Sequence, residues 1–209
     1  MHLKAARLIT LAVNIGLAGV LPLSAASAAE NVETIVLIRH GEKPPQGLGQ
    51  LNCQGLNRSL RLPGVIKARF GVPAAIFAPD PSDQKTDKGT AYDYIRPLAT
   101  VEPMAITFGL PVNAGIGVED IAKLKDSLED KAYANAIVVV AWEHKQLVKL
   151  ARKIMKDHDG DPDVVPKWQG DDFDGIYVLQ LTRKGGDTTA TFQTAKQGLN
   201  GLPETCPDR

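Results

Sequence analysis

Two histidines of the chain stand at matching places. His40 follows the apolar run TIVLIR, and His144 follows IVVVAWE and precedes Lys145. In open α/β sheets ligands gather beyond the carboxyl ends of the strands, so this pattern predicts both imidazoles in one crevice. An imidazole titrates near neutrality, at about 6.5 when unperturbed, and can act as nucleophile or proton carrier. Arg39, beside His40, would bring a permanent positive charge to the same place. Taken singly, each histidine also fits a plainer role, hydrogen-bonded to nearby backbone at a strand end or helix start. The pairing, with Arg39 beside one member, favours chemistry. His158 lies in an acidic stretch without such context and is expected to face solvent.

The elements that must hold these residues follow from periodicity. Short apolar runs alternate with helix-like segments, the pattern of an α/β domain with a mostly parallel sheet. Strands are predicted at Thr34 to Arg39, Ala74 to Ala78, Ala136 to Trp142 and Ile176 to Leu181, with a further one at Thr188 to Thr194. Their continuous apolarity implies burial on both faces. Helices are predicted over Pro97 to Phe108, Val118 to Leu128 and Gln146 to Lys156, with Pro103 expected to kink or interrupt the first.

Two polar stretches read as loops. Pro79 to Tyr94 is long for a connection inside a compact domain and is a candidate substrate loop. Asp157 to Asp174 is acidic and invites a calcium reading, but Pro162 replaces the required glycine and Trp168 the closing glutamate, so a solvated loop fits better. Gly47-Leu48-Gly49 begins like a dinucleotide fingerprint, yet Asn52 stands where its last glycine belongs. The chain has no P-loop and no G-x-S-x-G serine elbow.

Arg39-His40-Gly41-Glu42 after an apolar strand resembles the R-H-G motif of the histidine phosphatase superfamily. Leu51 and Gly55 in GQLNCQGLNRSLRLP are similar to that family's L-T-x-x-G helix start. RPLATVEPMAITFGLPV, Arg96 to Val112, resembles its R-A-x-x-T-A-E-P-L-A helix, and VVVAWEH the strand that delivers its second histidine. The four blocks stand in the family's order and resemble the smaller, phosphoglycerate mutase-like branch. The resemblance implies a single-domain, three-layer α/β/α fold and a metal-independent phosphoric monoester hydrolase, with His40 as nucleophile and Arg39, Arg96 and His144 around the phosphoryl group. It requires no metal or organic cofactor.

The residue types suit those roles. Guanidinium forks match the oxygens of a phosphate that carries up to two negative charges. A neutral His40 would be phosphorylated and then released by water, splitting one hard displacement into two easier ones. Glu42 is expected to support the pocket from beneath, and Lys43 either extends it or is turned outward by Pro44 and Pro45. The general acid is open: the family's usual glutamate motif is missing, Glu119 and Asp120 occupy roughly its region, and Lys145 stands where the acid phosphatase branch has an aspartate. Glu143 is the first candidate by adjacency to His144, and Asp120 the second.

Residues 1–29 read as a cleaved signal peptide, with Lys4 and Arg7, an apolar run from Leu8 to Leu23, and small residues at Ala26 to Ala29. The domain is then 30–209, periplasmic or secreted, with no stable membrane anchor after cleavage. Without Lys4 and Arg7 it carries 22 basic against 24 acidic residues, which does not suggest a nucleic-acid partner. In an oxidising compartment Cys53 and Cys206 are expected to pair, the alternative being two free thiols. The sequence leaves oligomeric state and natural substrate open. The expected activity is hydrolysis of phosphorylated small molecules. A catalytically weak phosphate-binding or scaffolding protein and a phosphomutase are the alternatives.

Overall fold

A computed structural model of the chain describes residues 30–207. The predicted signal segment lies outside the described residues. Strand β1 (Asn31–Arg39) is central: Ile35, Val36, Leu37 and Ile38 are all fully buried. It lies between β6 (Ile137–Trp142), to which it runs parallel, and β7 (Gly175–Lys184), to which it runs antiparallel. With β2 (Ala75–Pro79), β5 (Val112–Ile116) and β8 (Asp187–Lys196) the sheet order is β5-β2-β6-β1-β7-β8. The four strands from β5 to β1 are mutually parallel, and β7 and β8 form an antiparallel hairpin at one edge.

Because successive side chains of a strand face opposite ways, β1 feeds two cores. Ile35 and Leu37 pack with helices α3 (Ile121–Leu128) and α4 (His144–Asp157) through Leu124, Leu128, Leu147 and Leu150. Val36 and Ile38 pack with α1 (Cys53–Arg69) and α2 (Arg96–Phe108) through Leu62, Ile66, Val101 and Met104. The result is the three-layer α/β/α arrangement expected from the sequence.

Three elements depart from the expectations. The Pro79 to Tyr94 stretch contains a hairpin, β3 (Gln84–Asp87) and β4 (Thr90–Asp93). Its turn, Lys88-Gly89, has φ of 51° and 88°, the left-handed pair that a tight two-residue hairpin needs. Pro103 does not interrupt α2, which runs unbroken to Phe108 and stops at Gly109 with φ 66°. His158 is partly buried and paired with Glu129, its Nε2 2.9 Å from Oε1, rather than solvated.

Cys53 and Cys206 are joined, with Cα atoms 4.5 Å apart, so the C-terminal tail is fastened to the first turn of α1. The bridge spans 153 residues of sequence. Reduction is expected to lower unfolding stability by about 2–4 kcal/mol, chiefly by freeing the unfolded chain. Urea denaturation with and without reductant measures it, and coincident curves would contradict the contribution.

Candidate active site

β1 and β6 are parallel neighbours in a register that sets Arg39 opposite Trp142, and the His40 amide donates to the Trp142 carbonyl at 3.2 Å. The two strands that lead to the histidines therefore end side by side. Beyond Arg39 the chain turns through Gly41, whose amide donates to the Thr100 hydroxyl at 2.9 Å; that hydroxyl in turn donates to the Arg96 carbonyl at 2.8 Å. Gly41 and Gly55 touch: a Cβ on Gly55 would lie 2.4 Å from the Glu42 carbonyl oxygen. Only glycine lets α1 approach the strand exit this closely.

His40 is 3% exposed. Its Nδ1 lies 2.8 Å from the Gly41 carbonyl, which can only accept, so Nδ1 carries the proton and Nε2 keeps its lone pair. Burial, and then the Arg39 guanidinium, push its pKa down to about 3, so the imidazole is neutral at physiological pH. The rings of Tyr94 and Phe173 flank it at 6.0 and 6.1 Å.

Two buried guanidinium groups act on that imidazole, Arg39 and Arg96. Arg39 stacks on Phe173, Cζ 3.9 Å from the ring centroid, and donates from Nη1 to the Gly170 carbonyl at 2.6 Å. Arg96 lies over Tyr94 and donates from Nη1 to Asp87 at 2.5 Å. Both Nε atoms, and the hydroxyl of Tyr94, are buried without a partner among the described residues. Burial pushes the Tyr94 phenol up, which keeps it a proton-bearing donor. Buried donors are normally satisfied, so these three are suited to an anion.

A cavity of about 430 Å³ adjoins this cluster through Tyr94 and Arg96; Lys43, Asp87, Glu119 and Glu143 also line it, whereas His40, Arg39 and His144 are not in its wall. Lys43 is not turned outward: its ammonium lies 2.9 Å from Asp87. Asp87, at the hairpin turn, thus holds both Lys43 and Arg96. Burial alone would raise its pKa, but the two cations overcome that and hold it at about 2. The sequence did not single out Asp87, Tyr94 or Phe173. The D-K-G turn was a signal for the hairpin, whereas nothing local marks the two aromatic rings.

Glu42 is buried just beyond the strand exit, two residues after His40. Its carboxylate receives both Nε and Nη2 of Arg58, at 2.9 and 2.6 Å. Arg58 is fully buried and also donates to Gln197 at 2.8 Å and to Asp174 at 3.4 Å. One guanidinium therefore ties the nucleophile's loop to α1, to the start of β7 and to the C-terminal tail. The acidic loop is accordingly not simply solvated, since Asp174 serves Arg58 and Asp172 binds Lys196 at 2.8 Å.

Both general-acid candidates are helix caps. β6 ends at Trp142, and Glu143 is the N-cap of α4, its Oε2 accepting from the Lys145 and Gln146 amides at 2.8 and 3.0 Å. Burial would raise its pKa, but His144 and those amides bring it down to about 2. Its Oε1 lies 2.7 Å from Nδ1 of His144. Asp120 is exposed, caps α3 by accepting from Lys123, and is not in the cavity wall. Its neighbour Glu119 is in that wall. It meets Lys85 at 2.9 Å and the side-chain amide of Gln146.

No family model matches the chain, and no curated protein matches it. Solved structures do. A mycobacterial hydrolase superposes with a TM-score of 0.54 at 14% identity, covering 78% of this chain and 90% of its own. A protein from Nakamurella multipartitia assigned as the phosphohistidine phosphatase SixA gives 0.52 at 15%, covering 81% and 98%. A phosphoglycerate mutase from Plasmodium falciparum gives 0.51 at 12%, covering 82% and 94%. The fold is phosphoglycerate mutase-like. At these identities the likeness of the phosphoglycerate mutase-like fold concerns architecture alone.

Proposed function

We propose that the chain is a histidine phosphatase that hydrolyses phosphate monoesters through a phosphohistidine at His40. The observation that carries this reading is a buried, neutral His40 with a free Nε2 beside partnerless guanidinium nitrogens of Arg39 and Arg96. Nε2 attacks phosphorus, the N–P bond forms as the ester P–O bond breaks, and the leaving oxygen takes up a proton. Water then attacks phosphorus, the N–P bond breaks, and inorganic phosphate leaves. Arg39, Arg96, His144 and the Tyr94 hydroxyl hold the equatorial oxygens, where transition-state charge collects. Export to the periplasm or medium is part of the proposal, and the Cys53–Cys206 bridge supports an oxidising compartment.

For the proton of the leaving group the reading takes Glu119, an exposed carboxyl of the cavity wall that, unlike Glu143, caps no helix and, unlike Asp87, does not bind Arg96. Glu119→Gln is expected to slow turnover of an alkyl phosphate by about 10²–10³-fold, the usual range for a lost acid. A nitrophenyl ester, whose leaving group needs no proton, should be hydrolysed at nearly the wild-type rate. Equal losses on both esters would assign Glu119 a merely structural role.

Release of phosphate from a chromogenic ester by the wild-type protein, with a chelator present, tests the activity itself. Release unaffected by chelator is expected. No release would leave a phosphate-binding protein, and release abolished by chelator would point to a metal-dependent reaction.

A further inference from the structure

Beside the active-site cavity lies a second groove, of about 600 Å³, lined by Lys145, Arg152, Lys167, Val148 and Trp168, with His144 at one end. Its lining contains three cationic side chains and no carboxylate, in a chain whose acidic and basic residues are equal in number. Lys145 lines both spaces, so the two meet there. Gly170 also lines the groove, and its carbonyl accepts from Arg39 at 2.6 Å, so the same short segment borders one of the two arginines beside His40.

The spacing along α4 orders these groups. His144, Val148 and Arg152 are four residues apart and share one face, which sets Arg152 about 12 Å along the helix from His144 at 1.5 Å per residue. Arg152 is aimed by its own bonds. Nε and Nη2 donate to the Val165 carbonyl at 3.2 and 2.8 Å, and Nη1 has no partner among the described residues. Lys167 is exposed two residues beyond Val165. Val148 lies between the histidine and the arginine as an apolar rail.

We propose that this groove binds a second anionic group of the substrate, and that the preferred substrates are small esters with a phosphate or carboxylate about 10 Å from the scissile phosphate. The inference rests on the phosphatase reading. One end of such a molecule sits at His40 and His144, its carbon frame lies along Val148, and its far anion meets Arg152 and Lys167. Lys145 guards the junction. These charges face solvent, so their contribution is screened and should fade as salt rises past the Debye regime.

The test uses hexanediol bisphosphate, with hexyl phosphate as the control that lacks the second anion and ethanediol bisphosphate as the one that is too short. Binding is measured by calorimetry in a His40→Ala background, and turnover with the wild-type protein. Hexanediol bisphosphate is expected to bind about tenfold more tightly than either control at low salt. Arg152→Gln with Lys167→Gln should erase that advantage and leave hexyl phosphate binding unchanged. Lys167→Gln alone, at an exposed side chain, should remove part of it without risk to folding. Equal affinity for the three esters, or a preference that survives the double substitution, would overturn the groove proposal. A preference that disappears in the double variant, with no phosphate released from any ester by the wild type, would uphold the groove and overturn the phosphatase reading.

Discussion

His40→Ala is expected to lower kcat/KM on any phosphate monoester by about 10⁴-fold or more, the scale seen when a nucleophile is removed from an otherwise intact site. Binding of inorganic phosphate should persist, because Arg39, Arg96 and Tyr94 do not depend on the imidazole for their positions. Arg39 is held by Phe173 and Gly170, and Arg96 by Asp87. A loss of activity together with retained phosphate affinity separates a nucleophile from a packing residue. The wild-type pH profile is part of the same expectation. With its pKa held at about 3, His40 remains an unprotonated nucleophile through the range where an ordinary histidine, near 6.5, has become cationic. Turnover should therefore survive at about pH 5, and a loss centred near pH 6.5 traceable to the enzyme would contradict the buried neutral imidazole. Stability, unlike turnover, falls across that window. The unfolded histidine takes a proton below about 6.5 while the folded one does not until about 3, so lowering the pH through that window favours unfolding.

The second large effect is on stability, at Arg58. Replacing it with Met leaves the carboxylates of Glu42 and Asp174 buried, 8% and 4% exposed, without their cation. Breaking a buried pair in this way costs about 3–5 kcal/mol, more than the lost hydrogen bonds alone, because an uncompensated charge remains. Thermal and urea unfolding of Arg58→Met would show it. A double-mutant cycle with Glu42→Gln refines it: the double variant should be less destabilised than the sum of the singles, since the orphaned charge is gone. A loss under about 1 kcal/mol, or strict additivity, would mean that the network contributes little. The Glu42 backbone neighbours the nucleophile, so a folded Arg58→Met protein should also lose activity.

What the sequence revealed, and what it hid, divides along physical lines. β1 and β6 were legible because strands buried on both faces must be apolar throughout, and such runs are conspicuous. Their termination at Arg39-His40 and at Glu143-His144 was legible for the same reason. The edge strand β5, Val112–Ile116, is only partly buried and carries Asn113 and Gly115, so it has no such signature. The α1 helix contains Arg58, Arg61, Pro63 and Gly64, and its periodicity is blurred because one of its inward residues is an arginine. Burial of Arg58 depends on Glu42, Asp174 and Gln197, which are distant in sequence and converge only on folding. Asp87 escaped notice because its role needs a hairpin to carry it to Lys43 and Arg96. Adjacency placed Glu143 beside His144, but its second role, capping α4, depends on β6 ending at Trp142 and was hidden for a related reason. Glu119 lies in the same segment as Asp120, and only the cavity wall distinguishes them.

Rapid quenching tests directly for a phosphohistidine at His40. The wild-type protein is mixed with a phosphate ester labelled at phosphorus, stopped in alkali to preserve a phosphoramidate, digested, and mapped by mass spectrometry. Label is expected on the peptide that contains His40, formed and discharged within one turnover and absent from His40→Ala. Label on another residue, or steady turnover by the wild type that His40→Ala matches without any labelled peptide, would contradict it.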